Sequence, residues 1–175
     1  FPWRLAFAPI GYVFAAGNRC MLKPSELTPA TSALMAKLAA QYFDETELAV
    51  VQGGPQIGAA FTALPVDHLI FTGSAKVGSA VMRAASETLT PVTVELGGKS
   101  PQIVFADADI DKALPVLVNA IIQNAGQTCS AGSRVLIERP AYDEVAARLA
   151  EHFENLVAAP HDADLDVGAL ISARQ

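Results

Sequence analysis

The strongest constraint on how this chain can fold is its regular alternation of short apolar, β-rich runs with stretches of helical period, several of the runs closed by glycine. Cys20 to Lys23, Leu48 to Val51, His68 to Thr72, Val92 to Leu96, Gln102 to Phe105 and Ser133 to Glu138 read as strands, with Tyr12 to Ala16 as a further strand near the start. Between them, apolar residues recur on single helical faces: Leu34, Leu38 and Tyr42; Val77, Val81 and Ala84; Ile110, Leu114, Leu117 and Ile121; Val145, Leu149, Phe153 and Leu156. A short helix is expected around Ile57 to Leu64. Strands spaced by helices in this way predict βαβ units and an α/β fold built on an open parallel sheet.

Local signals place the helix ends. Thr28 is expected to cap a helix with Pro29 at its first position, and Asp107 and Asp109 to cap another, which Pro115 should bend by removing a backbone donor. A domain boundary is expected near Gly97-Gly98, dividing the chain into residues 1–97 and 98–175.

Composition removes several function classes. Only 17% of the 175 residues are charged, against roughly 25% in an ordinary soluble domain, and 51% are apolar. The net charge is −6 and the basic residues form no run, so the electrostatic footprint of a nucleic-acid binder is missing. No apolar stretch approaches the ~20 residues of a membrane span. Residue 1 is Phe, and the chain is expected to be an excised or incomplete piece. Cys20 and Cys129 stand alone, which fits a reducing cytosol and suggests neither a disulfide framework nor a metal site.

Four segments hold chemistry-bearing residues at strand ends or in loops, and each allows two readings. Gly73-Ser74-Ala75-Lys76-Val77-Gly78 lies where a strand becomes a helix: a phosphate cradle or a plain turn. It is no P-loop, because Ser79 and Ala80 follow Gly78. Lys23-Pro24-Ser25-Glu26 follows a strand, where open α/β sheets bind ligands, and Glu26 there is a ribose acceptor or part of a solvated turn. Glu95 ends an otherwise apolar strand, so it is either a desolvated carboxylate with a raised pKa, suited to general-base work, or a surface residue. Cys129, among small residues, is either a nucleophile with room for a substrate or an inert small hydrophobe, as Cys20 is read to be.

Taken in order and at their spacings, the stretches Phe1-Pro2-Trp3, Ala15-Ala16-Gly17-Asn18, Lys23-Pro24-Ser25-Glu26 with Thr28-Pro29, Phe71-Thr72-Gly73-Ser74 with Val77-Gly78, Glu95-Leu96-Gly97-Gly98-Lys99-Ser100-Pro101, and Gly126-Gln127-Thr128-Cys129 resemble the aldehyde dehydrogenases. The resemblance covers nearly the whole chain. Phe43-Asp44, Asp67 to Phe71 and Leu89 to Thr93 look like the branch that includes coniferyl and fatty aldehyde enzymes, whereas Cys129 to Ser133 looks like broad-specificity members.

The resemblance implies a Rossmann-like cofactor domain in residues 1–97 that leads into part of an α/β catalytic domain in residues 98–175. It implies oxidation of an aldehyde to a carboxylic acid with NAD, or NADP, through a thiohemiacetal and thioester on Cys129, with Glu95 activating the hydrolytic water. Lys23 and Glu26 would hold the adenosine ribose, Gly73, Ser74, Val77 and Gly78 would lie beside the pyrophosphate, and Leu96 near the nicotinamide. No metal is implied. The full-length parent would be a cytoplasmic homo-oligomer, a dimer or tetramer, and the piece alone is expected to be inactive. A cysteine acyltransferase or hydrolase without redox chemistry, with His68 as a spatial partner, and a non-catalytic nucleotide-binding fragment are the competing readings.

Overall fold

The computed structural model describes residues 1–175. They form two compact units, Phe1–Leu96 and Gly97–Gln175. The fold is α/β, and every strand pair in it is parallel.

Unit 1 begins with helix α1 (Pro2–Ala15), followed by β1 (Cys20–Leu22), α2 (Pro29–Tyr42) and β2 (Leu48–Val50), with β1 and β2 paired. Helix α3 (Pro55–Thr62) leads to β3 (Leu69–Gly73), α4 (Ala75–Ser86) and β4 (Val92–Leu96), with β3 and β4 paired. Unit 2 holds β5 (Pro101–Val104), α5 (Ile110–Ile122), β6 (Arg134–Ile137) and α6 (Tyr142–Glu154), with β5 and β6 paired. The strands pair in three parallel twos, each a βαβ unit of its own.

The expected strand from Tyr12 to Ala16 is instead the last turn of α1. Tyr12-Val13-Phe14 favours a strand locally, but Phe7, Ile10 and Phe14 repeat at three and four residues and pack on Ala39 and Leu48, and that tertiary contact decides. The helix stops in a Schellman turn: Gly17 takes φ 73, its amide donates to Phe14 O, and the Asn18 amide donates to Val13 O.

In α2 the buried stripe is Ser32, Met35 and Ala39, whereas Leu34 and Tyr42 are exposed. The helix is apolar on more than one face, so periodicity could not choose between them; Ser32 tolerates burial because its hydroxyl donates to Ser25 O at 2.8 Å. The Thr28 hydroxyl donates to Ser25 O and does not cap the helix. In α4 the stripe is Gly78, Val81 and Ala85, and Val77 points outward.

Unit 2 has the larger core: Val104, Leu114, Leu117, Val118, Ala141, Val145 and Leu149, with Leu114 and Val145 at the centre. Asp109, not Asp107, caps α5 by accepting from the Lys112 amide. The helix runs continuously from Ile110 to Ile122 through Pro115, whose exposed position puts the missing donor on the solvent side. Helix α6 ends at Glu154, so Phe153 is exposed in the last turn and Leu156 lies beyond it.

This division between core and surface predicts opposite outcomes on one helix. Leu114→Ala, at 1% exposure, should cost about 2–5 kcal/mol and lower the urea midpoint clearly. Val116→Ala, two residues away at 65% exposure, should stay within about 0.5 kcal/mol of the parent.

Candidate functional site

Because β1 and β2 run the same way, the residues after both strands emerge at one end of the pair. Pro24 to Glu26 and Gln52 to Gly54 line a cleft of about 220 Å³ there, together with Pro29 and Ser32. Lys23 Nζ donates to Glu26 Oε2 at 2.7 Å; the lysine side chain is 14% exposed and the carboxylate 40%. The hydrogen bond from Lys23, then one from its own backbone, holds the Glu26 carboxyl below its ordinary range. Around it, Ser25 makes a local turn, accepting from the Leu27 amide with its hydroxyl and from Thr28 and Ser32 with its carbonyl. Sequence reasoning passed over Gln52, Gly53 and Gly54, reading the glycines only as a strand stop. Their place after a parallel strand was the signal, since ligands collect at such ends.

The second pair brings the residues of the Gly73 motif together. In its register Thr72 faces Glu95 and Gly73 faces Leu96. Ser74 caps α4, its hydroxyl accepting from the Val77 amide at 3.3 Å. Gly78 lies under Leu96: a Cβ there would stand 3.0 Å from Leu96 Cδ2 and 3.7 Å from the Phe71 ring. Gly78 therefore lets the first turn of α4 lie close against both strands, the packing role that glycine plays where a helix must approach a sheet.

Glu95 departs from one expectation. It is exposed, so burial does not desolvate its carboxylate. Residues alternate along β4, with Val92 and Val94 half-buried and Thr93 and Glu95 outward, which favours the surface reading of Glu95 over the desolvated one. On the same pair His68 Nε2 makes a 2.9 Å hydrogen bond with Thr93 Oγ1, which gives that histidine a partner within unit 1.

Cys129 belongs to unit 2, in the loop between α5 and β6. The chain enters that loop through a 3₁₀ turn, Gln123–Gly126, in which Asn124 (φ 52), Ala125 (φ 54) and Gly126 (φ 74) are all left-handed. For a non-glycine residue this conformation costs about 1–2 kcal/mol, and Ala125 has no side-chain hydrogen bond to offset it. Cys129 and Ser130 are exposed at the tip, while Ala131 and Gly132 are buried directly after it. The Ala131 amide donates to Thr128 O and the Gly132 amide to Ala120 O, but the amides of Cys129 and Ser130 donate to no acceptor in the chain. Cys20 is the opposite case: half-buried beside the Ile10 cluster, its thiol is pushed up by burial and kept protonated.

Comparison with known proteins agrees with this arrangement of segments. The sequence model of the aldehyde dehydrogenase family matches residues 1–175. Coniferyl aldehyde dehydrogenase of a Pseudomonas species is 54% identical over 147 residues, which cover 84% of this chain and 31% of that protein. The 2-hydroxymuconic semialdehyde dehydrogenase of another Pseudomonas strain is 41% identical, with 98% of this chain and 37% of that protein covered. A crystal structure of betaine aldehyde dehydrogenase from Staphylococcus aureus in complex with NAD+ superposes with a TM-score of 0.85 at 32% identity, covering 90% of this chain and 32% of that one. The chain thus spans about a third of the length of the curated relatives it matches. With the match running from the first residue to the last, and with the fold shared, this chain belongs to the aldehyde dehydrogenase family.

Proposed function

We propose that the protein carrying this chain oxidises an aldehyde to a carboxylic acid with NAD+ as hydride acceptor, and that Cys129 is its nucleophile. The observation that carries this reading is the Cys129 loop: an exposed thiol at a tip whose own amide, and that of Ser130, are free to donate. Attack of the Cys129 thiolate on the carbonyl carbon forms a thiohemiacetal. The amide of Cys129 then stabilises the oxyanion, as backbone donors do in acyl transfer. The chemistry supplied by a bound nicotinamide is acceptance of the substrate hydride, which leaves a thioester on Cys129. Glu95, exposed and therefore open to water, takes a proton from the water that hydrolyses this thioester and frees the acid.

The residues of unit 1 fit the cofactor. At the cleft beyond β1 and β2, Lys23 can donate to ribose hydroxyls and the Glu26 carboxylate accept from them. A carboxylate so placed repels a 2′-phosphate, which favours NAD+ over NADP+. Ser74 satisfies the Val77 amide, leaving those of Ala75 and Lys76 at the start of α4 for the pyrophosphate, with Gly73, Val77 and Gly78 beside it and Leu96 near the nicotinamide. On this reading unit 1 is part of the cofactor-binding domain and unit 2 the start of the nucleophile-bearing one. No helix is long and apolar enough to cross a membrane. The two unpaired cysteines support a cytoplasmic protein, and the family resemblance supports a homo-oligomer. The relatives act on different aldehydes, as their names state, so the substrate is given only as an aldehyde.

Three measurements check this reading. Across a panel of aromatic and aliphatic aldehydes, NAD+ reduction should be abolished by Cys129→Ala; turnover surviving in that variant, or none in the parent with any aldehyde, overturns the proposal. Glu95→Gln should leave the first-turnover NADH burst intact and slow the steady state by about 10²–10⁴-fold. Glu26→Ser should raise the NADP+/NAD+ ratio of kcat/KM by about tenfold, the size of a 1.4 kcal/mol charge interaction at partial exposure.

The Lys23–Glu26 pair also has a pH signature. Its carboxyl titrates below the ordinary value of 4.5 in the folded chain, so its stabilisation is present above that value and is lost as pH falls through the lowered one. NMR titration of the Glu26 carboxyl should show the depression in the parent and a clearly smaller one in Lys23→Met, which keeps only the backbone hydrogen bond.

A further inference from the structure

Two glutamine amides grip the Cys129 loop from its two ends. Gln102 lies in β5 on the same face as Val104, turned towards α5. Its Nε2 donates to Gly132 O at 2.9 Å and to Leu117 O at 3.1 Å. Both neighbours are carbonyl acceptors, so only the nitrogen of the amide can face them. Gly132 fits the grip because it has no side chain: a Cβ would stand 2.6 Å from both Gln102 Nε2 and Cδ. The Gly132 amide is fixed as well, to Ala120 O at 2.9 Å.

At the other end, Gln127 Nε2 donates to Asn124 O at 2.9 Å, and Asn124 Nδ2 donates back to Gln127 O at 3.0 Å. Gln127 Oε1 accepts from the Ile171 amide at 2.8 Å, which ties the left-handed turn to the segment that follows α6. Between the two grips lie only Thr128 to Ala131, and among their amides only that of Ala131 is paired, so those of Thr128, Cys129 and Ser130 are free to donate. A loop of such small residues would otherwise sample many backbone states, at about 1–2 kcal/mol of conformational entropy per residue fixed.

We propose that Gln102 and Gln127 are positioning residues that brace the Cys129 loop from both ends, holding the thiol and the free amides in one arrangement for attack on a carbonyl. This rests on Cys129 being the nucleophile. Neither glutamine touches substrate; each acts through the loop.

The experiment compares Gln102→Met, which keeps the side-chain length and removes both donors, with Gln127→Ala and Cys129→Ala in the protein carrying this chain, using NAD+ and the aldehyde panel. Each glutamine variant should lower kcat by about tenfold to a hundredfold, the scale of a misplacement near 1 Å, with KM for aldehyde and NAD+ kept within about twofold. Parental kcat, or a rise in KM alone, in both variants while Cys129→Ala is dead overturns the brace and leaves the nucleophile standing. Turnover in Cys129→Ala overturns both.

Hydrogen exchange on the same proteins, each carrying this chain, separates positioning from general stability. In Gln102→Met, the hydrogen-bonded amides of Ala131 and Gly132 should exchange about tenfold faster while the core of α5 and α6 around Leu114 and Val145 keeps its protection. Acceleration spread evenly over unit 2, or confined to regions outside the loop, overturns the proposal.

Discussion

Two strands that run the same way must be joined by chain that travels back along their whole length, and here each return is a helix. Much of the chemistry of the molecule is placed by that requirement. Residues that leave the two strands of a pair do so at the same end, which gathers Lys23 and Glu26 with Gln52, Gly53 and Gly54, and Gly73 and Ser74 with Glu95 and Leu96. In the third pair the arrangement is reversed. Cys129 precedes β6, so it sits at the amino ends of the strands, where Gly98, just before β5, approaches the Cys129 carbonyl. The residues read as cofactor contacts and the residue read as nucleophile thus occupy opposite kinds of strand end.

Much of this was legible in the order of residues. Strands from Leu48, Val92 and Arg134 needed only an apolar run bounded by turn residues, and α5 followed from the spacing of Leu114 and Leu117 after Asp109. What failed to show did so for physical reasons. Tyr12 to Ala16 has strand propensity, and only contacts with Ala39 and Leu48, far along the chain, make it helical. The Ala-rich α2 offers several apolar faces, so its choice of Ser32 over Leu34 depends on a hydrogen bond no periodicity reveals. Glu95 allows two readings from the sequence, and only the open face of β4 selects the exposed one.

The site was legible as residue types at fixed places and not as interactions. Lys23 and Glu26 were seen as neighbours of opposite charge, and the structure makes them an ion pair. Gln102 went unremarked because a single polar residue in a strand has many uses, and its two acceptors, Leu117 O and Gly132 O, lie fifteen and thirty positions away. Asn124 is a residue type that tolerates left-handed backbone, but Ala125 carried no warning of it.

The grouping of the strands in twos has a cost of another kind. Each strand pairs on one side only, so all six present a row of backbone N–H and C=O groups along the other side. A two-stranded sheet is marginal in water, and such open rows are templates for further strands. Ile103, Phe105 and Leu136 add exposed apolar surface beside the rows of β5 and β6. In a solution of this chain by itself, neighbouring molecules therefore offer the most readily available partners for those rows, and self-association grows with concentration.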